Sequence, residues 1–417
     1  MSGLRALRLR NLISFAAALL KNVDKFHLSF DRSYREAITK LEAELEGREV
    51  YEFSRSLVNK FYLLEHISEI TFGEKSYEKI ALTWLALYGE RFFKQPFPGL
   101  RDFSTKIIET YSRVLNERKL HLSYSFPEWF IKELEIVFDR EELEKLLKSL
   151  NEEVIWARIN TLKTDEDKAL KELDKQRISF ERDKDISYLV KLIEFPRPTG
   201  KISLFKEGKL ILQDKASVLA VEALRPEPGE LICDVCAAPG IKTSLIAQLT
   251  ENKARILAID VSKRRINQMK ALMRRYGAKN IELAISDSRK MRLRRKSDKV
   301  LLDSPCSASG AIGRDPAIKV HLRRRGRINY YAQLQRSLLS NCLNLGREVI
   351  YVTCSILPQE GEEVVLSVLN ESSAKLVDLD LPCSNGYSLY PRSYLFKRTF
   401  PHVHECEAFF YAKLLVN

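Results

Sequence analysis

The sequence predicts an α/β fold with a mostly parallel, doubly wound sheet, preceded by a small α/β module and an all-helical amino-terminal region. Three observations predict it. From residue 231 onward, short apolar runs alternate with helical periodicities: 231–235 then 242–249, and 255–259 then 262–276, with further strand-like runs at 299–302 and 348–353. Between residues 153 and 212, strand-like runs at 154–159 and 209–212 flank a helical 165–175. Before residue 121 the periodicities are helical, for example around 56–67 and 77–88, with no strand alternation.

The elements follow in order. Arg5, Arg8 and Arg10 precede an apolar stretch over 12–20, which has the look of a secretory signal, but no small-residue cleavage site follows. Leu12, Phe15 and Leu19 share one helical face, so a packed amphipathic helix is expected. Ser125-Phe126-Pro127-Glu128-Trp129 opens another helix, with Pro127 near a first turn where its missing N–H costs nothing. The later strand–loop–helix repetition places ligands beyond the carboxyl ends of the strands. No internal repeat or low-complexity segment interrupts it.

Composition narrows the function. A chain of 417 residues calls for two or three units. With 45% apolar and 30% charged residues, and no uninterrupted apolar run of the roughly 18 needed to span a bilayer, a membrane protein is not expected. Sixty-nine Lys and Arg against 56 Asp and Glu leave a net charge of +13, which favours a polyanionic partner without separating RNA from DNA. Basic clusters at 292–296 and 323–327 fit solvated loop charge as well as a nucleic-acid contact. The seven cysteines, Cys233, Cys236, Cys306, Cys342, Cys354, Cys383 and Cys406, are an odd number and no disulfide scaffold. Cys233 and Cys236 form a C-x-x-C with no second pair at zinc spacing, so they read as structural and no metal site is expected.

The run Asp234-Val235-Cys236-Ala237-Ala238-Pro239-Gly240-Ile241-Lys242-Thr243 joins the first strand of the repetition to its first helix. Its small residues let backbone approach a ligand, and Gly240 can adopt angles closed to other residues. It is neither the G-x-G-x-x-G dinucleotide fingerprint nor a phosphate loop, which disfavours nicotinamide and triphosphate ligands. Asp260 ends the next strand, where a carboxylate can accept from ribose hydroxyls, and Asp287 follows the run 281–285, where it could accept from an adenine amino group. Each acid alone reads as a cap or turn residue; together, at successive strand ends, they point to a nucleoside site.

Two further strand ends carry thiols. Asp303-Ser304-Pro305-Cys306-Ser307 follows the strand 299–302, and Thr353-Cys354-Ser355 closes the strand 348–353. Taken singly, each cysteine reads as a small buried hydrophobe. Converging with Asp303 on the edge that holds the nucleoside loop, they read as catalytic. Carbon 5 of cytosine is too poor a nucleophile to take a methyl group directly, and addition of a thiolate to carbon 6 removes that obstacle. A base must then take the carbon 5 proton before the thiol is expelled.

At these residues the chain resembles the Sun/Fmu (RsmB-like) family of S-adenosylmethionine-dependent RNA cytosine-5 methyltransferases. The resemblance rests on D-x-C-A-A-P-G-x-K-T at 234–243, D-S-P-C-S at 303–307, T-C-S at 353–355, Gln213-Asp214-Lys215-Ala216-Ser217, and Arg158-Ile159-Asn160-Thr161-Leu162-Lys163, and it runs from about Ser125 to the end. It implies that Cys354 is the nucleophile and Cys306 assists breakdown of the adduct; DNA cytosine methyltransferases use the P-C position for attack instead. It implies S-adenosylmethionine contacts from Cys236, Ala237, Ala238, Pro239, Gly240, Ile241, Lys242, Asp260 and Asp287, with Asp303 near both the methyl donor and the target base, and Arg265 as a further contact. The implied architecture is a NusB-like helical RNA-binding domain over 1–122, a linker helix and RNA-recognition-like module over 123–212, and a Rossmann-like class I methyltransferase domain over 213–417. The implied partner is RNA, ribosomal ahead of transfer RNA, for a cytoplasmic protein expected to be a monomer.

Two positions in the chain depart from the family pattern, one of a single residue and one of a pair. Ile241 replaces a second glycine of the cofactor loop, and Glu407-Ala408 stand where Asp-Gly often precedes the aromatic pair Phe409-Phe410. Two other functions compete. A methyltransferase for an exocyclic nitrogen would need no cysteine and often shows Asn/Asp-Pro-Pro-aromatic, where this chain has Asp-Ser-Pro-Cys. An RNA-binding assembly protein with an inactive methyltransferase domain would suit the net charge, but the intact loop and both cysteines argue against decay.

Overall fold

A computed structural model describes residues 2–39, 47–94, 97, 100–196 and 202–416, without the side chains of 2–8, 101 and 102; those of Arg5 and Arg8 therefore lie outside the described residues. The chain folds into two units, residues 1–152 with 312–325, and residues 153–311 with 326–417.

The first unit is helical. Its first helix, Ser2–Asp24, buries Leu12, Phe15 and Leu19 against Phe53, Leu57 and Trp84, as the spacing of its apolar residues predicts. The periodicity over 56–67 is divided between two helices, Arg48–Asn59 and Phe61–Phe72, that meet at Lys60. The first free N–H groups of the second helix, at Tyr62 and Leu63, donate to Ser125 Oγ at 3.0 and 3.2 Å, a partner that local periodicity cannot reveal. Helix Glu128–Leu134 does begin directly after Pro127, and helix Arg140–Ser149 is capped by Asp139, whose carboxylate accepts from Glu142 N at 2.9 Å.

By packing, residues 123–152 belong to this helical unit, as do residues 312–325 from inside the segment that sequence patterning reads as catalytic. Lys319 shows why. It is fully buried, its ammonium donates to Asn59 O at 2.8 Å, to Tyr124 O at 3.1 Å and to Asn151 Oδ1, and it lies 4.2 Å from the centroid of the Phe126 ring. Burial drives its pKa well down. Gly313 passes so close to Glu152 that an added Cβ would sit 2.2 Å from the Glu152 carbonyl oxygen.

The second unit holds two sheets. The small one has the order β2-β3-β1-β4, from β1 (Ile155–Ile159), β2 (Ser179–Arg182), β3 (Leu189–Glu194) and β4 (Leu210–Leu212), with all neighbours antiparallel. The helix Glu166–Lys175, capped by Asp165, buries Ala169 and Leu173 against it. The large sheet contains the parallel strands β5 (Leu231–Val235), β6 (Arg255–Asp260), β7 (Ile281–Ile285), β8 (Ser297–Asp303) and β9 (Gly346–Thr353) in the order β9-β8-β5-β6-β7. Beyond β9 the sheet turns antiparallel through β13 (Phe410–Leu415), with β10 (Lys375–Val377), β11 (Ser384–Asn385) and β12 (Lys397–Arg398) completing that side.

The Arg158-to-Lys163 and Gln213-to-Ser217 motifs join the two sheets. Arg158 is fully buried; its guanidinium donates to Gln213 Oε1 at 2.8 Å, to Ser244 Oγ at 2.7 Å and to Gln248 Oε1, both latter residues lying on the helix Ile241–Leu249. Asn160 Nδ2 donates to the carbonyls of Gly208 and Tyr276, each at 2.8 Å. Lys215 pairs with the buried Asp183 at 2.5 Å. The module is thus pinned behind the loop that follows β5, and buried polar groups of this kind hold only when their partners are present.

Candidate active site at the carboxyl ends of the parallel strands

β5 has β6 on one side and β8 on the other, so the chain reverses direction across the sheet at β5. A crevice opens at such a switch point, outside the carboxyl ends of the strands. Loop 234–243 leaves β5 there, Asp260 ends β6, Asp303 ends β8 and Cys354 follows β9.

The loop is built around close contacts. Asp234 is buried, accepts from Thr243 Oγ1 at 2.5 Å through one oxygen, and has its other oxygen buried without a hydrogen-bond partner among the described residues. Burial pushes its carboxyl up to about 7. Gly240 has φ +100°, and a Cβ there would lie 2.7 Å from Met273 Cε and 2.8 Å from Met269 Cγ, so only glycine fits. Ile241 is the first residue of the helix Ile241–Leu249 and is not among the residues with positive φ, so the family's second glycine is dispensable here.

Asp260 holds this loop in place. Its Oδ1 accepts from Ser262 N at 2.9 Å, and its Oδ2 accepts from Ala238 N at 3.3 Å. Arg265 braces both, with Nη1 3.3 Å from Asp260 Oδ2 and Nη2 donating to Ala238 O. Asp287 sits two residues beyond β7, gripped by the Arg289 guanidinium at 2.7 to 3.1 Å, whose hydrogen bonds hold its carboxyl down at about 2. Val261 and Ile285, at the ends of β6 and β7, are 72% and 54% exposed. Uncovered apolar side chains beside two carboxylates, next to a loop with no room for a Cβ, fit the adenosine half of S-adenosylmethionine.

The thiols meet at the other end of the crevice. Cys306 Sγ lies 3.1 Å from Cys354 Sγ, and both side chains are partly exposed. The hydrogen bond to Cys354, with burial, drives the Cys306 thiol well above its usual range. Lys242 Nζ is 2.7 Å from Asp303 Oδ2 and 5.4 Å from the Phe409 ring centroid. Burial lowers the Lys242 pKa, but Asp303, through its charge and hydrogen bond, and the nearby Cys354 outweigh it, and the net shift is upward.

One residue that sequence patterning misses organises both cysteine loops. Glu360 is fully buried and accepts from Ser307 N at 2.8 Å, Ser307 Oγ at 2.5 Å, Ser355 Oγ at 2.6 Å and Gln335 Nε2 at 3.2 Å. Ser307 and Ser355 are the residues immediately after Cys306 and Cys354. Burial raises the Glu360 carboxyl and the Ser307 and Ser355 bonds oppose that rise, leaving it above the usual value. An acid five residues past T-C-S, on the short turn Pro358–Glu360, was the available signal. Arg398, paired with Glu362 at 2.5 Å in full burial, donates to Ser355 O at 3.2 Å.

The second departure also has a place. Gly310 N donates to Cys354 O and Ala408 N to Gly310 O, each at 3.0 Å, and a Cβ on Gly310 would lie 1.8 Å from the Ala408 carbonyl oxygen. Residue 408 is thus a buried brace for the loop carrying Cys306. Burial pushes the thiols of Cys233 and Cys236 up to about 11 and about 12.

The fold and this crevice define a class I methyltransferase that uses S-adenosylmethionine. Residues 221–415 match the family described as 16S rRNA methyltransferase RsmB/F, and residues 126–196 match the ferredoxin-like domain of RsmF/B-like methyltransferases. The chain is 33% identical over 304 residues to Ribosomal RNA small subunit methyltransferase B of Shewanella oneidensis, covering 70% of this chain and 68% of that one. It is 32% identical over 342 residues to the 28S rRNA (cytosine-C(5))-methyltransferase of Mus musculus, of which the match spans 42%. Among solved structures, PH0851 superposes with a TM-score of 0.79 at 29% identity, covering 97% of this chain and 98% of the other. NSun6 from Pyrococcus horikoshii with SFG superposes at 0.63 with 25% identity, over 70% of this chain and 98% of that one. The chain belongs to the Sun/Fmu (RsmB-like) family of S-adenosylmethionine-dependent RNA cytosine-5 methyltransferases.

Proposed function

We propose that this enzyme methylates a cytosine of ribosomal RNA, with Cys354 as nucleophile and Cys306 as the residue that releases the product. The 3.1 Å approach of the two sulfurs carries this reading. Cys354 Sγ forms a bond to carbon 6 of the cytosine, and electron density moves to carbon 5. S-adenosylmethionine, when bound, supplies an electrophilic methyl group on a sulfonium. Lys242, paired with Asp303 at 2.7 Å, is read as a fixed positive charge that stabilises negative charge developing in the crevice. Asp303, at the carboxyl end of β8, is read as the acceptor for the amino group of the base.

Release needs the carbon 5 proton to leave, after which the bond between carbon 6 and Cys354 breaks and the ring double bond returns. Cys306, whose Sγ lies 3.1 Å from Cys354 Sγ and whose thiol is pushed up by that hydrogen bond and by burial, is the residue to which this release step is assigned. Asp260, Asp287 and the loop 236–242, braced by Arg265, would hold the adenosine portion and the amino acid tail of the methyl donor. The helical unit is read as an RNA-binding, NusB-like domain. Ribosomal RNA is favoured over transfer RNA because the similar proteins named for a substrate act on ribosomal RNA.

The test is incubation with methyl-labelled S-adenosylmethionine and either ribosomal RNA or transfer RNA, followed by digestion to nucleosides. Label should appear as 5-methylcytidine from ribosomal RNA and vanish with Cys354→Ala. Label on another nucleoside, or full activity in Cys354→Ala, would overturn the reading.

A further inference from the structure

The positive charge of the chain is concentrated in one place. Residues 261–296 contain thirteen lysines and arginines but only Glu282 and Asp287 as acids, an excess of eleven in a chain whose total excess is thirteen. This stretch is the helix Lys263–Tyr276, the strand β7 and the loop leading to β8.

The fold puts that charge on both sides of a sheet edge. β7 ends the strand order, with β6 as its one sheet neighbour among the described residues. The helix Lys263–Tyr276 packs Ile266, Met269 and Met273 on the face that holds Ala258 and Leu283. The loop tucks Met291 and Leu293 against the opposite face, with Leu257 and Ala284. Lys263, Arg264, Lys270 and Arg274 on the helix, and Arg294, Arg295 and Lys296 on the loop, are exposed, and none forms an ion pair among the described residues. Elsewhere acids offset bases: the helices Arg140–Ser149 and Glu166–Lys175 together carry six lysines and arginines against seven acids, and Arg140, Lys145 and Lys168 pair with neighbouring acids.

Like charges left unpaired at this density repel one another, and a polyanion relieves that repulsion. We propose that the β7 edge is a phosphate-binding rail for RNA lying beyond the target nucleotide, an assignment that rests on RNA being the substrate. Its contacts are to backbone phosphates, so it adds affinity and orientation without reading sequence. The edge adjoins Asp287 and Ile285, at the adenosine end of the crevice, and so extends the RNA path past the cofactor rather than past the thiols.

The experiment uses the full chain and a fluorescent 40-nucleotide RNA hairpin of arbitrary sequence, titrated across potassium chloride concentrations. The variant K270Q/R274Q/R294Q/R295Q/K296Q should bind about tenfold or more weakly near 0.1 M salt. The slope of log affinity against log salt should become shallower by about two or more, since each lost phosphate contact removes roughly 0.7 to 0.9. A control, R225Q/K253Q/K299Q/K397Q/K413Q, removes the same charge from basic residues of the methyltransferase unit that are ion-paired outside the rail and should keep the wild-type slope. The charge-preserving variant K270R/R274K/R294K/R295K/K296R should bind as wild type, which separates lost charge from lost folding. Equal weakening by the rail variant and the control, or no change in slope with the rail variant, would overturn the proposal. Hairpin binding needs no methyl transfer, so a wrong assignment of Cys354 would leave this result untouched, and a failed rail would leave 5-methylcytidine formation at saturating RNA intact.

Discussion

The two cysteines of the crevice are held by different means. Cys354 directly follows β9, whose backbone is laddered to β8 on one side and β13 on the other, up to Thr353 itself. Cys306 lies three residues past β8, on a loop outside the strand ladder, and is fixed by side-chain bonds of Ser307 to Glu360 and of Ser309 to Ser355 at 3.0 Å and by single backbone bonds of Gly310 to Cys354 and Ala408. A residue at a strand end is placed by the fold as a whole. A group on a polar network is placed by a few bonds, and one substitution can move it.

The largest effect should come from the thiol that follows β9. Cys354→Ala is expected to lower methyl transfer by about four orders of magnitude or more, the scale of removing a nucleophile, with S-adenosylmethionine affinity unchanged by calorimetry. Glu360→Ala should be next. It strands the Ser307, Ser355 and Gln335 donors and frees the Cys306 loop, and a misplacement near 1 Å costs about a hundredfold in kcat. As a positioning residue, Glu360 should affect kcat with little change in the KM for cofactor, and Glu360→Gln should recover part of the loss. If Glu360→Ala kept wild-type kcat, the loop would not depend on its network.

Gly310→Ala tests the same loop by steric force. Its Cβ would meet the Ala408 carbonyl oxygen at 1.8 Å, so backbone must shift, and a loss of about 1–3 kcal/mol is expected in denaturant unfolding. The smallest effect concerns Asp234. Its carboxyl is raised to about 7 by burial, above the value of about 4 in an unfolded chain. The stability it contributes is therefore fully present below about pH 4 and is lost as pH rises toward 7. Stability of the wild type minus that of Asp234→Asn should fall across that window and stay flat outside it; a difference that rises with pH would contradict the burial argument.

Much of this was legible before any coordinates. The strands 231–235 and 281–285 and the helix carrying Asp165 as its cap followed from period and turn residues, because those signals are local. Asp303, Cys306 and Cys354 were legible as a group because each follows a strand of the same parallel set. What was not legible depends on partners far along the chain. β2 and β3 show little alternation, and the antiparallel strands β10, β11 and β12 are two or three residues long, too short to carry a period. The break at Lys60 depends on Ser125, the helical environment of residues 312–325 on the burial of Lys319, and the role of Glu360 on serines five and 53 residues away.

The division of labour between the thiols is the central claim, and one measurement tests it most directly. Cys306→Ala protein, incubated with ribosomal RNA and S-adenosylmethionine, is separated on a denaturing gel and by intact mass. The account predicts a stable RNA–protein adduct that disappears when Cys354→Ala is added. An adduct that persists without Cys354, or normal turnover with no adduct in Cys306→Ala, would contradict it.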